Sequence, residues 1–204
     1  AASDVYKRQG MILGITGGTG CGKTTLLNVI RDYGGLVLDC DEIYHQLLES
    51  DVSLLDALKR RFPAAFFDGC LARKELGRMV FADPAALADL NAITHSAVRR
   101  EVERRLEAGP ELAAIDAIGL FESGLNRLCD LTVAVTAPRA MRIDRLMRRD
   151  GISAAYAESR IHAQHNEDWF REHCDFVLEN SGTQEEFHKK SIDFLNAQGI
   201  ISLV

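Results

Sequence analysis

The sequence predicts an α/β domain: a five-stranded parallel sheet with helices on both faces, an inserted helical lobe and a helical lid. Three observations lead there. Gly17-Gly18-Thr19-Gly20-Cys21-Gly22-Lys23-Thr24 is a full match to the phosphate-binding pattern G-x-x-x-x-G-K-[ST], seated between a short apolar run and a helical repeat. Strand-like and helix-like segments alternate along most of the chain, the signature of a parallel sheet covered by helices. Between residues 42 and 109 the alternation stops, and helical patterns follow one another without a strand signal. A length of 204 residues suits one such domain with an insert and is short for two full-sized domains.

Residues 1–9 do not read as structure. Residues 4–9 look like the translated end of a sequencing-library adapter, so 1–9 is expected to be a non-native extension and Met11 the biological start. Met11-Ile12-Leu13-Gly14-Ile15-Thr16 is a buried strand, and Leu26, Leu27, Val29 and Ile30 recur at helical spacing after the glycine loop. Gly34-Gly35 stops that helix. Leu36-Val37-Leu38 is a second strand, closed by Asp39-Cys40-Asp41. In a parallel sheet, ligands gather beyond the carboxyl ends of strands, so this acidic pair is expected to face the phosphate crevice. The competing reading makes Asp41 the N-cap of a helix starting at Glu42.

Helices are predicted over 42–50 and 52–62, with Pro63 and Asp68-Gly69 breaking the chain, then over 73–81. Asp83-Pro84 opens a long helix over 85–108, with Leu87, Leu90, Ile93, Ala97, Val98, Val102 and Leu106 as its apolar stripe. The segment 42–109 is read as an all-helical, acceptor-binding insert. Strands are predicted at 112–118, at Leu131–Thr136 and, briefly, at 176–178; Thr183-Gln184-Glu185-Glu186 is a capping box opening the terminal helix. One domain over 10–204 results, its core at 11–41, 110–138 and 174–204, its lid at 139–173.

A formal charge of −6 and a pI near 5.5 argue against a broad nucleic-acid surface. No apolar run approaches the length of a membrane span, and the five cysteines are widely spaced without a C-x-x-C pair. Together these predict a soluble cytoplasmic protein with reduced thiols. They leave the oligomeric state open, a monomer being one reading.

The chemistry of the loop predicts triphosphate binding. Glycines let successive N–H groups turn inward, the helix N-terminus adds positive potential, Lys23 supplies a mobile charge and Thr24 a hydroxyl for Mg2+. Arg139, Arg142, Arg145, Arg148, Arg149 and Arg160 form a basic segment in an acidic protein. They read either as a solvated helix face or as cations reaching the triphosphate from a lid hinged at Gly151-Ile152-Ser153. His162 and His165 stand three apart with no evident third metal ligand, and Trp169 and Phe170 are candidates either to flank adenine or to pack under the lid.

From Met11 to the terminal helix the chain resembles the dephospho-coenzyme A kinases, and so a P-loop kinase fold. The residues that carry the resemblance are the glycine loop, Leu38-Asp39-Cys40-Asp41, Leu90-Asn91-Ala92-Ile93-Thr94-His95 and Asp116 with Leu120-Phe121-Glu122. Arg148-Arg149-Asp150-Gly151, Gln164 and Asn180-Ser181-Gly182 complete the set. The resemblance implies that ATP, with Mg2+, phosphorylates the ribose 3′-hydroxyl of dephospho-coenzyme A, the last step of coenzyme A synthesis. The residue types agree with it. Lys23 and the amides of Gly18, Thr19, Gly20, Cys21 and Gly22 hold phosphates, Thr24 binds the metal, and Thr25 contacts the α-phosphate. Asp41 takes or orients the acceptor proton, Asp39 or Asp116 holds metal-bound water, and Arg149 with Arg145 provides countercharge. Asn180 is placed at the nucleotide, and Arg73, His95 and Glu122 at the acceptor, although a helix histidine such as His95 is more often a structural hydrogen-bonding residue.

The chain departs from the family pattern in having Ser96 after His95 and Ile118-Gly119-Leu120 before the aromatic–glutamate pair. Cys21 replaces a serine; beside a helix N-terminus and a lysine it is expected to favour thiolate and to make the enzyme sensitive to mild oxidation. A kinase for another small molecule or nucleotide, or a nucleotide-binding switch without phosphotransfer, are the competing functions.

Overall fold

The computed structural model describes residues 10–202, so the extension expected at 1–9 lies outside the described residues. Strand β1 (Met11–Thr16) leads through the glycine loop to α1 (Lys23–Asp32), and β2 (Leu36–Asp39) passes directly into α2 (Cys40–Ser50). Next come α3 (Val52–Arg61), the short strands β3 (Phe66–Phe67) and β4 (Cys70–Leu71), α4 (Arg73–Ala82) and the long α5 (Pro84–Leu106). β5 (Leu112–Asp116), β6 (Leu131–Thr136), α6 (Arg139–Asp150), α7 (Ala154–His162), α8 (Glu167–His173), β7 (Phe176–Glu179) and α9 (Gln184–Ala197) complete the order. Two compact units result: residues 10–38 with 109–202, and residues 39–108.

The first unit is built on a five-stranded parallel sheet in the order β2-β5-β1-β6-β7. β1 takes the centre, with Gly14 opposite Ile115 on one side and Thr132 on the other. Its place follows from composition. Leu13, Ile15, Ala113, Ala114, Ile115, Val133, Ala134 and Val135 are fully buried, and a strand covered on both faces needs such an unbroken apolar run. α1 and α9 pack together on one face, contributing Leu26, Ile30, Phe187 and Leu195 to the same core. The capping box at α9 forms as expected: Thr183 Oγ1 accepts from Glu186 N at 3.2 Å and Thr183 N donates to Glu186 Oε2 at 2.7 Å. Asp175, just before β7, accepts from both the N–H and the hydroxyl of Thr132 at 2.7 Å, fixing how the last strand enters the sheet.

The second unit packs α2, α3 and α4 against α5, with Leu54, Leu58 and Phe62 buried to 1% or less. The expectation of an all-helical insert is corrected here. Phe66 pairs with Leu71 and Phe67 with Cys70 in an antiparallel hairpin. Its turn is Asp68-Gly69, whose φ angles of 49° and 81° are both left-handed, the backbone that lets a two-residue turn match the twist of its strands. Asp-Gly is a hairpin signal as well as a breaker. The stripe expected on α5 also shifts at its start: Leu87 is 43% exposed and Ala86 is buried in its stead, while Ala97, Val98 and Val102 are buried as expected.

Candidate active site

β1 delivers the chain to the glycine loop at Gly17, where the backbone turns with φ 134° and an added Cβ would lie 2.2 Å from the Val135 carbonyl oxygen. At the far end Gly22 caps α1 with φ 87°, and a Cβ there would meet Asn180 Nδ2 at 2.4 Å. Neither position admits a side chain. Cys21 N–H closes on the Gly18 carbonyl and Thr25 N–H on the Gly22 carbonyl, each at 3.3 Å. Among the described residues the N–H groups of Gly20, Gly22, Lys23 and Thr24 donate to no protein acceptor, as expected of a loop and first helical turn open to an anion. Lys23 Nζ folds back to donate to the Gly17 carbonyl at 3.2 Å, and Thr24 is exposed with its hydroxyl unpartnered among the described residues.

Side chains of α6 and α7 and of Gln164, between α7 and α8, hold this loop. Arg142 Nε donates to the Thr19 carbonyl at 2.9 Å, and Gln164 Oε1 accepts from Thr19 N–H at 2.8 Å and from Arg142 Nη2 at 3.2 Å. Arg160 Nη2 stands 3.5 Å from Thr19 Oγ1. Thr19, expected at the phosphates, therefore directs its N–H to Gln164, its carbonyl to Arg142 and its hydroxyl to Arg160. Arg145 Nη1 donates to the carbonyls of Gly20 at 3.1 Å and Cys21 at 3.3 Å, and Asn180 Nδ2 donates to the Cys21 carbonyl at 2.9 Å. Both side chains, expected at the nucleotide, are drawn to the loop backbone. Arg149 pairs with Asp150 through two bonds of 2.6 and 3.0 Å, and Arg160 joins at 2.8 Å. The hydrogen-bonded Arg149, and then Arg160, hold the Asp150 carboxyl at about 2. Sequence reasoning did not single out Arg142. Its spacing of three from Arg139 and Arg145 puts it on their helical face, but nothing in the pattern says which carbonyl it meets.

A cavity of about 630 Å3 opens beside Cys21, bordered by Arg139, Arg142, His162, Gln164 and Trp169. One expectation about its neighbourhood is corrected. Cys21 is 2% exposed, and burial raises its thiol pKa despite the nearby charges of Arg142 and Lys23, so the thiol form prevails and the predicted oxidative sensitivity loses its basis. Of the two readings of Trp169 and Phe170, packing is the one the geometry supports: Trp169 stacks on the rings of His165 at 3.6 Å and His173 at 4.0 Å, both nearly parallel to it, and Phe170 is 4% exposed. Glu122, expected at the acceptor, lies 2.5 Å from His165 Nε2, while Phe121 packs edge-on to Trp169. The His162 and His165 pair thus has its second member engaged by a carboxylate and a stacked indole.

In the second unit, Asp39 and Asp41 have separate duties. Asp39 Oδ1 accepts from the N–H groups of Asp41 at 2.9 Å and Glu42 at 3.0 Å, so α2 starts at Cys40 and Asp39, not Asp41, is its cap. Asp41 stands exposed in the first turn, its carboxylate without a partner among the described residues and its carbonyl 2.7 Å from His45 Nδ1. Arg73 opens α4, exposed and in no ion pair among the described residues. It lies near enough to Tyr44 to oppose the upward shift that burial imposes on that phenol. His95 is half-buried on α5. Asp116 closes β5 in the first unit, in register with Ile15.

A phosphate loop between a parallel strand and a helix, held by arginines of a following helical segment, defines a P-loop kinase. A family model described as dephospho-CoA kinase matches residues 11–186. The dephospho-CoA kinase of Anaeromyxobacter dehalogenans is 42% identical over 186 residues, 88% of each chain, and that of Thermus thermophilus is 38% identical, covering 88% of this chain and 87% of its own. The chain belongs to the dephospho-CoA kinase family. A crystal structure from Thermus thermophilus, 34% identical, superposes with a TM-score of 0.82 over 94% of this chain and 98% of its own. A Bacteroides thetaiotaomicron shikimate kinase, at 13% identity, TM-score 0.58 and coverage of 94% and 99%, shares the fold.

Proposed function

We propose that the protein transfers the γ-phosphoryl group of ATP to the ribose 3′-hydroxyl of dephospho-coenzyme A, releasing ADP and coenzyme A, the final step of coenzyme A synthesis. The observation that carries this reading is the intact phosphate loop, with inward donors at Gly20, Gly22, Lys23 and Thr24, in a chain matched to the family over residues 11–186. ATP is the phosphate donor that membership of the family implies. The bond from the 3′-oxygen to the γ-phosphorus forms as the bond to the bridging oxygen of ADP breaks.

In this reading Lys23 and the loop amides hold the β- and γ-phosphates and meet the charge that develops on the transferring group. Asp41, exposed and relieved of capping by Asp39, takes the hydroxyl proton. Arg149 supplies countercharge when it leaves Asp150, while Arg73 and His95 serve the acceptor. The Thr24 hydroxyl suits Mg2+: it is an exposed oxygen without a competing partner, and no group of three or more acidic, histidine or cysteine side chains among the described residues could hold a metal without the nucleotide. When bound, Mg2+ would neutralise charge on the β- and γ-phosphate oxygens. No helix among the described residues is long and apolar enough to cross a membrane, and a cytoplasmic setting, where ATP is abundant, belongs to the same proposal.

A coupled assay of ADP release tests the proposal. ADP release that requires dephospho-coenzyme A, with coenzyme A identified by mass, is expected. Turnover with shikimate or a nucleoside monophosphate and none with dephospho-coenzyme A would refute the acceptor. ATP binding with no acceptor-dependent turnover at all would refute phosphotransfer.

A further inference from the structure

The carbonyl of one residue and the N–H of the next belong to the same planar, trans peptide and point in opposite directions. Fixing a carbonyl on one side of a loop therefore aims the following N–H at the other side. In the phosphate loop, three successive carbonyls are fixed from the lid side. Thr19 is held by Arg142 at 2.9 Å, Gly20 by Arg145 at 3.1 Å, and Cys21 by Arg145 at 3.3 Å and Asn180 at 2.9 Å. The N–H groups aimed the other way are those of Gly20, Cys21 and Gly22. Cys21 N–H closes the loop on Gly18, and the Gly20 and Gly22 N–H groups are among the donors left for an anion.

Glycine-rich backbone has little intrinsic preference for this arrangement, since glycine populates several basins with similar ease. Something outside the loop must select it. The contacts at Thr19 have that form: Gln164 Oε1 takes Thr19 N–H at 2.8 Å and steadies the Arg142 guanidinium at 3.2 Å, so both peptides flanking Thr19 are tied to one arginine–glutamine pair. The approach is close. A Cβ on Gly18 would lie 2.1 Å from Arg142 Nη2 and 3.0 Å from Gln164 Oε1.

We propose that Arg142 and Gln164 are positioning residues: they hold the loop's peptides in the phosphate-binding orientation from behind and do not touch the nucleotide. The proposal rests on the triphosphate-binding part of the function above and not on the acceptor. The arginines between residues 139 and 160 thereby divide by what they hold. Arg142 and Arg145 reach the loop's carbonyls, whereas Arg149 is paired with Asp150.

Because the pins act on backbone that meets phosphate, their loss must weaken every polyphosphate alike, whatever base it carries. Binding of Mg-ATP and of Mg-tripolyphosphate, which has no nucleoside, is measured by calorimetry without any acceptor, so a wrong acceptor assignment does not affect the result. Gln164→Ala is expected to weaken both ligands by the same factor, about tenfold, and Arg142→Ala by more, since its bond is charge-assisted. Melting temperatures establish that each variant is folded, and Gln164→Ala, a half-buried truncation outside any helix or strand, keeps the test open if Arg142→Ala does not fold. Weaker ATP with unchanged tripolyphosphate would show that these residues contact the nucleoside. Unchanged affinity for both ligands would show that the loop holds its shape without them. Either result overturns the proposal.

Discussion

The separation of Asp39 from Asp41 makes a two-way prediction in which stability and rate move independently. Asp39 Oδ1 accepts two N–H groups at the start of α2, at 2.9 and 3.0 Å, whereas the Asp41 carboxylate is exposed and unpartnered among the described residues. Removing an N-cap costs about 1 kcal/mol, within a range of about 0.5–2. For a chain of this size that is a fall in Tm of about 2–4 °C, within a range of about 1–8 °C, so Asp39→Ala should melt measurably lower. Asp39→Asn keeps the cap, since asparagine caps as well as aspartate. Any loss of turnover in it reads the charge of that carboxylate alone.

Asp41→Asn should do the reverse. Among the described residues its side chain contributes to the fold through a negative charge near a helix N-terminus, about 0.3–1 kcal/mol, so Tm should fall by no more than about 4 °C. If Asp41 takes the acceptor proton, kcat should drop by about 10²–10⁴-fold while the Kd for ATP holds within about twofold. The assay is ADP release at saturating ATP and dephospho-coenzyme A, with calorimetry for ATP and a thermal melt on the same preparations. Turnover within about fivefold of the parent would remove Asp41 as the base. A fall in Tm as large as that of Asp39→Ala would show that the division of duties between the two carboxylates is wrong.

Gly22→Ala places a Cβ at φ 87°, 2.4 Å from Asn180 Nδ2, and should weaken ATP binding by more than about tenfold; a calorimetric Kd near the parent's would show that the loop yields at that point. Cys21, buried with its thiol pKa raised, should resist mild peroxide and neutral-pH alkylation, so the native protein and Cys21→Ser should lose activity at the same rate; selective loss in the native protein would contradict the burial argument. The Asp150 carboxyl titrates in the folded protein at about 2 against an ordinary 3.8, a depressed value, so its contribution to stability is present above about pH 4 and lost as pH falls through about 2. Asp150→Asn should therefore melt lower than the parent near pH 6 and converge with it near pH 2, and a gap that stays constant with pH would assign the effect to something other than the charge.

What the sequence made legible follows from the range over which each cause acts. β1 and β6 run over the residues expected, because an unbroken apolar run bounded by glycine or proline is a local property that only a doubly covered strand uses. The α9 capping box was legible for the same reason, four residues defining their own geometry. The β3–β4 hairpin was missed although Asp68-Gly69 is local: with two residues in each strand there was no alternation to set beside the turn. Cys21 misled because the rule linking a helix N-terminus to thiolate assumes access to solvent, and burial, which reverses it, is a property of the whole fold. The contacts on the phosphate loop lie beyond any local rule. Thr19 and Gln164 are 145 residues apart, Gly20 and Arg145 are 125 apart, and Cys21 and Asn180 are 159 apart. The glycine pattern states that a backbone must be free to turn inward. It cannot state what turns it, because freedom is encoded at Gly17, Gly20 and Gly22 while the constraint is encoded on α6, before α8 and after β7. A chain with the full glycine pattern but without that outer set would have a loop able to bind phosphate and nothing holding it ready to do so.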